Sequence, residues 1–552
     1  MTTHLEGLVA RAVASAYRTE MNAEIPIERI EIRPSDRPDF GDYATNLALV
    51  AAKVLGKPPR EIAERVASEL RRVDNGRQFS HVEVAGPGFI NIRFWPGAIQ
   101  TSLVNLLEQG PDYGRSSLGE DQSIQLEFVS SNPTGPLTVG HGRQAVLGDV
   151  LANLYERVGW NVEREYYFND EGRQIDLLAE SLWARYRELC GEVREIPEDG
   201  YHGEYLIDVA RDVRAKLGDG FAAFDEEAKG VFRREAVERM TARIKDDLAK
   251  LGVRFDHWFS EATLHRAGKV DGTLAALREL GAVYEDGGAI WLRAEAHGGV
   301  KDSVLVRSDG RPTYLMVDVA YHIDKRERGF DRVINVQGAD HHAEQSCMKA
   351  AMRILGYPEE WLSYAVHQFV SLKEGGETLK MSTRAGRFVT LHDLLEELGG
   401  DIVRWFMISR KPEAHLDFDL DLARSESQDN PATYVQYAHT RIASIFRNAG
   451  DVGGDWASVE FAPLVEPEEL DLIKTLDRFP EIVETAATSF APHLLAEYAL
   501  QLSRTFHAYY DTHRVLGGDA DLTTARLALL HGVKLVLRES LGILGMNAPE
   551  AM

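Results

Sequence analysis

The run Asn132-Pro-Thr-Gly-Pro-Leu-Thr-Val-Gly140-His141-Gly142 constrains the fold more than any other stretch of this 552-residue chain. It lies between an apolar, strand-like segment at Ser123–Ser130 and a helical periodicity that starts at Gly142. Its prolines and glycines forbid regular structure, so the chain must turn there, at the carboxyl end of a strand. In an open α/β sheet that edge is where ligands bind, and the next helix offers free N–H groups to an anion. Gly140 leaves room for a flat group, and His141 places a donor over an anion. Taken alone, a Gly-His turn is equally a plain helix start. A second polar loop, Lys380-Met-Ser-Thr-Arg384, lies far downstream and adds cations to the picture.

The chain is too long for one core, and three or four domains are expected. Residues 1–110 read as a small α/β domain, with helical patterns near 4–18 and 44–71 and strand-like runs at Ile27–Ile32 and His81–Val84. Gln109-Gly-Pro-Asp-Tyr-Gly-Arg115 reads as a linker. The second unit, 111–420, opens with the strand to Ser130. A helix near 143–158 follows, apolar at Val146, Val150, Leu154 and Val158, and then a strand near 161–168. That order predicts a parallel sheet. A mostly helical insertion is expected over about 175–300. The sheet then resumes at Ser303–Arg307 and Val333–Val336 and finishes at Tyr364–Ser371. From 421 to 552 the pattern is helical, with Asn430-Pro431 as a cap and first-turn proline and Gly545 closing a helix over 523–544.

Composition narrows the functional classes. Two cysteines, Cys190 and Cys347, form no CxxC or Cys/His cluster, which argues against zinc and disulfides and suits a reducing cytoplasm. No apolar run is long enough for a membrane span. The net charge of −25 is unfavourable for a nucleic-acid binder, although a local basic stripe can coexist with acidic surfaces.

The two loops resemble the signatures of class I aminoacyl-tRNA synthetases, usually written HIGH and KMSKS, here Thr138-Val-Gly-His141 and Lys380-Met-Ser-Thr-Arg384. EFVSSNPTGPLTVGHGR (127–143), YYFNDEGRQI (166–175), YLMVDVAYHIDKRERGFDRVINVQGADHH (314–342) and NPATYVQYAHTRI (430–442) resemble the bacterial arginyl-tRNA synthetases. So do FGDYATNLALVAAKVLGKPPREIAE (40–64) and VAGPGFINIRF (84–94) in the first domain. The resemblance covers nearly the whole chain. It implies a Rossmann-like catalytic domain, a small N-terminal α/β domain that contacts tRNA and an all-helical anticodon-binding domain. It also implies ATP with Mg2+, arginine and its tRNA as partners, a monomer, and activation of arginine only when tRNA is bound.

The resemblance assigns residues as well. His141, Lys380, Thr138 and Ser382 are expected in catalysis, and Gly140, Gly338, Asp340, His341 and Met381 around ATP. Asp340 is expected on the ribose hydroxyls; an ordinary N-cap is the alternative. Thr138 replaces the usual first histidine, and its hydroxyl still donates. Thr383 replaces the usual second lysine, which leaves Arg384, Lys373 or a tRNA-dependent rearrangement to compensate. A guanidinium is best met by carboxylates. Glu127 and Asp318 are expected on the arginine side chain, with the Tyr314 hydroxyl alongside and Asn132 at the α-amino end. Tyr314 and Asp318 stand four apart, on one helix face. Asn169-Asp170 resembles a further family signature and suits turn chemistry equally. Tyr434, Tyr437, His439 and Arg441 offer aromatic and basic groups to unpaired RNA, with a buried Tyr stripe as the alternative, and Met552 is expected near the anticodon. Two other functions compete: adenylation without transfer to tRNA, and nucleotide binding without catalysis. The terminal domains disfavour the first, and intact Glu127, His141, Asp318 and Lys380 disfavour the second.

Overall fold

In the computed structural model the described residues are 31–35, 38–379, 389–450 and 454–552. The expected helix at 4–18 and most of the Ile27–Ile32 run lie outside them. The first domain is built on an antiparallel sheet in the spatial order Ile32–Pro34, Tyr43–Thr45, Phe89–Phe94, Phe79–Ala85. The helical run expected over 44–71 is two helices, Leu47–Leu55 and Pro59–Asp74, and its first residues are a strand. Gly56 ends the first helix at φ 64°, and a proline at the first position of the second cannot continue it.

The expected linker is a packed connection. A helix at Pro96–Gln109 precedes it, and Gln100 donates to the Leu464 carbonyl (2.8 Å) in the C-terminal region. Buried Arg157 donates to the carbonyls of Pro111 (2.8 Å) and Tyr113 (2.5 Å).

The central sheet is parallel throughout, in the order Leu362–His367, Arg332–Gly338, Ser123–Glu127, Asn161–Phe168, His257–Ser260. Ile124 and Leu126 on one face and Gln125 on the other are all fully buried, as a strand covered on both faces requires. The chain starts in the middle and winds first one way and then the other. Ser123–Glu127 and Arg332–Gly338 therefore flank the topological switch point, where a crevice must open at their carboxyl ends.

Three expectations for this region are corrected. His257–Ser260, inside the stretch read as helical, joins the sheet edge beside Asn161–Phe168. Ser303–Val306 does not rejoin the parallel sheet; it pairs antiparallel with Ala289–Leu292, which pairs with Val283–Asp286. Gly287 and Gly288, at φ 57° and 77°, make the two-residue hairpin turn that needs positive φ at both positions. The sheet also ends at His367, because Val370–Glu374 pairs with Leu416–Asp419 in a separate small sheet. The remaining insertion helices, Arg173–Leu189, Tyr205–Leu217 and Glu226–Lys250, bury Leu182, Tyr186, Leu206 and Phe232 in a core of their own.

The C-terminal region is helical, as expected. Asn430 caps Pro431–Ala449 by accepting from the Ala432 amide, with the proline in the first turn. The last helix runs Ala520–Ile543, three residues earlier than its periodicity suggested, because Asp519 accepts from the amides of Asp521 and Leu522 and caps it there. Among the described residues no helix is long and apolar enough to cross a membrane.

Candidate active site

The switch-point crevice is a cavity of about 550 Å³ lined by Glu127, Asn132, His141, Tyr314, Asp318, Gly338 and His341, seven residues expected in the site. Its floor turns sharply after Glu127. Val129 and Ser130 have φ of 67° and 41°, a left-handed conformation that is costly for a β-branched residue. The next strand holds this strained turn: the Tyr167 amide donates to Ser130 Oγ (3.1 Å), and the Tyr166 hydroxyl donates to the Ser131 carbonyl (2.8 Å). The insertion contributes too, since the Tyr205 hydroxyl donates to the Thr134 carbonyl (2.6 Å).

The following helix begins at Val139, three residues before the periodicity suggested, which places His141 in its first turn. Thr138 caps it in a reciprocal box with His141. The Thr138 amide donates to His141 Nδ1 (3.1 Å), so the neutral ring carries its proton on Nε2. Burial, reinforced by His367, pushes the His141 pKa down to about 4, so the ring is neutral at physiological pH. The Thr138 hydroxyl accepts from the His141 amide in the helix cap and so positions His141. A side-chain carbon at Gly140 would meet only Thr138 Oγ1, at 3.6 Å. Gly142 is glycine for packing, with Leu391 Cδ1 2.8 Å from the position of a Cβ.

Across the crevice, Gly338-Ala-Asp340-His341 makes a 3-10 turn before the helix His342–Ile354. Asp340 is not the N-cap of that helix; the cap position is His341, with no side-chain cap bond. A Cβ on Gly338 would sit 2.5 Å from Asp340 Oδ1, so glycine is what lets the Asp340 carboxylate fold back over the strand end. His341 lines the crevice and contacts Glu344 (2.8 Å), whereas Asp340 lies at the exposed rim, outside the lining.

The other end is a receptor for a cation. Asp318 is one turn after Tyr314 on the helix Tyr314–Glu327, and both line the cavity with Glu127, Glu261 and Glu344. Burial, then Glu127, Glu261 and Glu344, raise the Asp318 pKa to about 8, with Lys325 opposing. Lys325, two turns after Asp318 and fully buried, donates to Glu127 Oε2 (2.7 Å) and Asn335 Oδ1 (3.1 Å). That ion pair ties the helix to the strand end at the cavity wall. His322 completes the network with Nε2 on the Asn335 amide (2.9 Å), and burial holds its pKa down near 3.

Neither Lys325 nor Glu261 was picked out from the sequence. Lys325 sits in the charged run Asp324-Lys-Arg-Glu327, which reads as a solvated face. A buried ion pair that loses one partner costs about 3–5 kcal/mol. Lys325→Met should therefore lower stability by about that much, measured by denaturant unfolding, and the double replacement Lys325→Met/Glu127→Gln should recover part of it.

Asn169 and Asp170 separate in function. Asn169 lines the cavity, donating its amide to Asn132 Oδ1 (3.2 Å) and its side chain to Glu261 Oε1 (2.8 Å). Asp170 accepts the Ser260 hydroxyl (2.7 Å) and does turn chemistry. A possible metal cluster, Glu163, Glu165 and His257, contains the Arg328 guanidinium, 2.6 Å from Glu165 and 3.1 Å from Glu163.

Lys380, Met381, Ser382, Thr383 and Arg384 lie outside the described residues. The residues that follow them are fastened to the His141 turn: Thr390 bridges Thr138, and the Leu391 amide donates to the Leu137 carbonyl (2.9 Å). Lys373 is paired with Asp417 (2.7 Å).

In the C-terminal region Tyr434 and Tyr437 are half-buried against the His507 ring, and Arg441 lies over Tyr437 and Tyr510 at 5.0 and 4.7 Å. His439 is not a surface group. It is fully buried with Nδ1 on the Pro549 carbonyl (2.9 Å), so it anchors the chain's last segment. Thr440 and Arg447 donate to the carbonyls of Pro549 and Glu550, leaving Met552 exposed beyond them.

Comparison with known proteins places this geometry. Residues 3–94 match the arginyl tRNA synthetase N-terminal domain, 102–404 the class I (R) tRNA synthetase catalytic domain, and 435–552 the DALR anticodon binding domain. The chain is 43% identical to an arginine–tRNA ligase of Thermotoga maritima over 99% of its length and 98% of the relative's. It is 44% identical to that of Carboxydothermus hydrogenoformans over 100% and 99%. The Thermus thermophilus arginyl-tRNA synthetase structure superposes with a TM-score of 0.78 at 26% identity, covering 99% of this chain and all of that one. A Mycobacterium tuberculosis methionyl-tRNA synthetase shares the fold at 14% identity, with a TM-score of 0.54 over 76% of this chain and 90% of that one. An acid-lined switch-point crevice with a neutral histidine at a helix start, in a chain matched along nearly its whole length, identifies a member of the arginine–tRNA ligase family.

Proposed function

We propose that the chain joins arginine to its tRNA in two steps. The arginine carboxylate attacks the α-phosphorus of ATP, forming arginyl-adenylate as pyrophosphate leaves. A ribose hydroxyl at the RNA 3′ end then attacks the arginyl carbonyl, and AMP departs. The observation that carries this reading is the half-buried Asp318, which lines the crevice together with Glu127, Glu261 and Glu344. A guanidinium meets Asp318 and Glu127, with the Tyr314 hydroxyl alongside and Asn132 at the α-amino group. His141 Nε2–H faces the phosphates, where a neutral donor stabilises developing charge. Gly140, Gly338, Asp340 and His341 hold adenosine, with Asp340 on the ribose. ATP arrives as its magnesium complex, and Lys380, Met381 and Ser382 complete the phosphate end.

Residues 1–110 contact tRNA, 111–420 carry the chemistry, and 421–552 take the anticodon on Tyr434, Tyr437 and Met552. The enzyme works as a monomer in the cytoplasm. The test is pyrophosphate exchange with each amino acid, with and without tRNA. Arginine alone should support exchange, and only when its tRNA is present. Robust exchange with another amino acid, or full exchange without RNA, would sink the reading.

A further inference from the structure

Behind the acid-lined end of the crevice lies a cation that takes no part in the chemistry proposed above. Glu127, Glu261, Asp318 and Glu344 line the crevice, and no lysine or arginine is among its described lining residues. Lys325 sits behind that wall, fully buried. It donates to Glu127 Oε2 (2.7 Å) and Asn335 Oδ1 (3.1 Å), and its ammonium lies 4.3 Å from the centre of the Tyr321 ring. Glu127 and Asn335 are register partners on the two strands that flank the switch point, so one lysine braces both strand ends. The bracing continues to Asp318. Asn335 donates its side-chain amide to His322 Nε2 (2.9 Å), and His322 Nδ1 donates to the Asp318 carbonyl (2.8 Å), one turn back on the same helix. His322 is neutral, because burial holds its pKa near 3, so each bond of this chain has a single direction.

We infer that Lys325 is a positioning residue that makes the crevice select a guanidinium over an ammonium. The inference rests on the arginine reading above and adds what refuses lysine and other amino acids that end in an ammonium. Lys325 occupies one oxygen of Glu127 and leaves the other to the crevice, which stops the carboxylate from turning. A guanidinium is a rigid planar fork of five donors and can meet Glu127 and Asp318 together from fixed directions. An ammonium concentrates its charge on one strongly hydrated nitrogen, and it needs acceptors that turn towards it to replace that water. With Glu127 pinned, it loses more hydration than it regains. Lys325 also sets a positive charge behind the wall, which weakens the pull on any cation. Geometry then decides which cation stays.

The test is pyrophosphate exchange by the full chain with the arginine-accepting tRNA present, read as the inhibition constant of lysine divided by the KM of arginine. Lys325→Met frees the Glu127 carboxylate to turn. The ratio should fall about tenfold or more, the worth of one hydrogen bond to a charged group, with arginine binding more weakly and lysine more tightly. Lys325→Arg keeps the cation and should keep most of the ratio. His322 does not line the crevice, and His322→Ala leaves no buried charge unpaired. It should lower the ratio by a smaller factor, and it decides alone if Lys325→Met does not fold. A purely structural Lys325 would lower the active fraction and leave the ratio unchanged. That result, or an equal fall in Lys325→Arg, would overturn the inference. Failure of the arginine reading shows separately, in a wild type whose exchange does not prefer arginine.

Discussion

Asp318→Asn should all but abolish arginine binding while leaving ATP affinity within a few-fold of normal. The substitution keeps the shape but removes the charge that answers the guanidinium. Losing one member of a buried charge pair costs about 2–5 kcal/mol in binding, roughly 30-fold to several thousand-fold in Kd. The raised pKa of Asp318, about 8, adds a second signature. Below that value the free carboxyl holds a proton that an incoming cation must displace. Arginine affinity should rise by about tenfold per pH unit from roughly pH 6 to 8 and then level off, whereas the Asn variant should show no such slope.

Stability runs the other way. The folded pKa of Asp318 lies above its unfolded value of 3.8, so the stability this group contributes is present at low pH and is lost as pH rises toward 8. Without ligand, Asp318→Asn should therefore melt no lower than wild type at pH 8, and arginine should no longer raise its melting temperature. A variant that instead unfolds early and loses both substrates would make Asp318 a structural residue.

The second large effect is expected at His141. Removing one donor from a charge-stabilising site typically costs roughly 2.7–4 kcal/mol of barrier, or 10²–10³ in kcat. His141→Ala should show that loss in single-turnover adenylate formation, with arginine affinity nearly unchanged. The alanine also removes half of the capping box with Thr138, for about 0.5–2 kcal/mol of stability. The two contributions separate in Thr138→Ala, which disturbs the cap and keeps the imidazole. It should share the stability loss and retain far more activity. Equal kcat losses in the two variants would mean that His141 serves only the helix start.

Whether a feature could be read from the sequence depended on how local its cause was. The strand at Asn161–Phe168 and the cap at Asn430-Pro431 are set by neighbouring residues, and both were legible. Tyr314 and Asp318 were legible as one helix face because four residues make about one turn. The short strands were not. His257–Ser260 has four residues, too few for a period of two to stand out, and its pairing partner begins 96 positions earlier at Asn161. His439 misled because a histidine between surface-type residues looks solvated, and only the returning Pro549 carbonyl buries it.

By itself the sequence determined the order of elements, the turn that creates the crevice, and the residues of the family's signatures, because proline, glycine and apolar spacing act over a few neighbours. Only the tertiary structure decided which charges meet. Lys325 reaches Glu127 across 198 positions, and Glu261 arrives from a region read as helical insertion to raise the Asp318 pKa. Thr138 turns inward to hold His141. Burial and charge coupling depend on what lies across the fold, and a residue's neighbours along the chain carry no record of it.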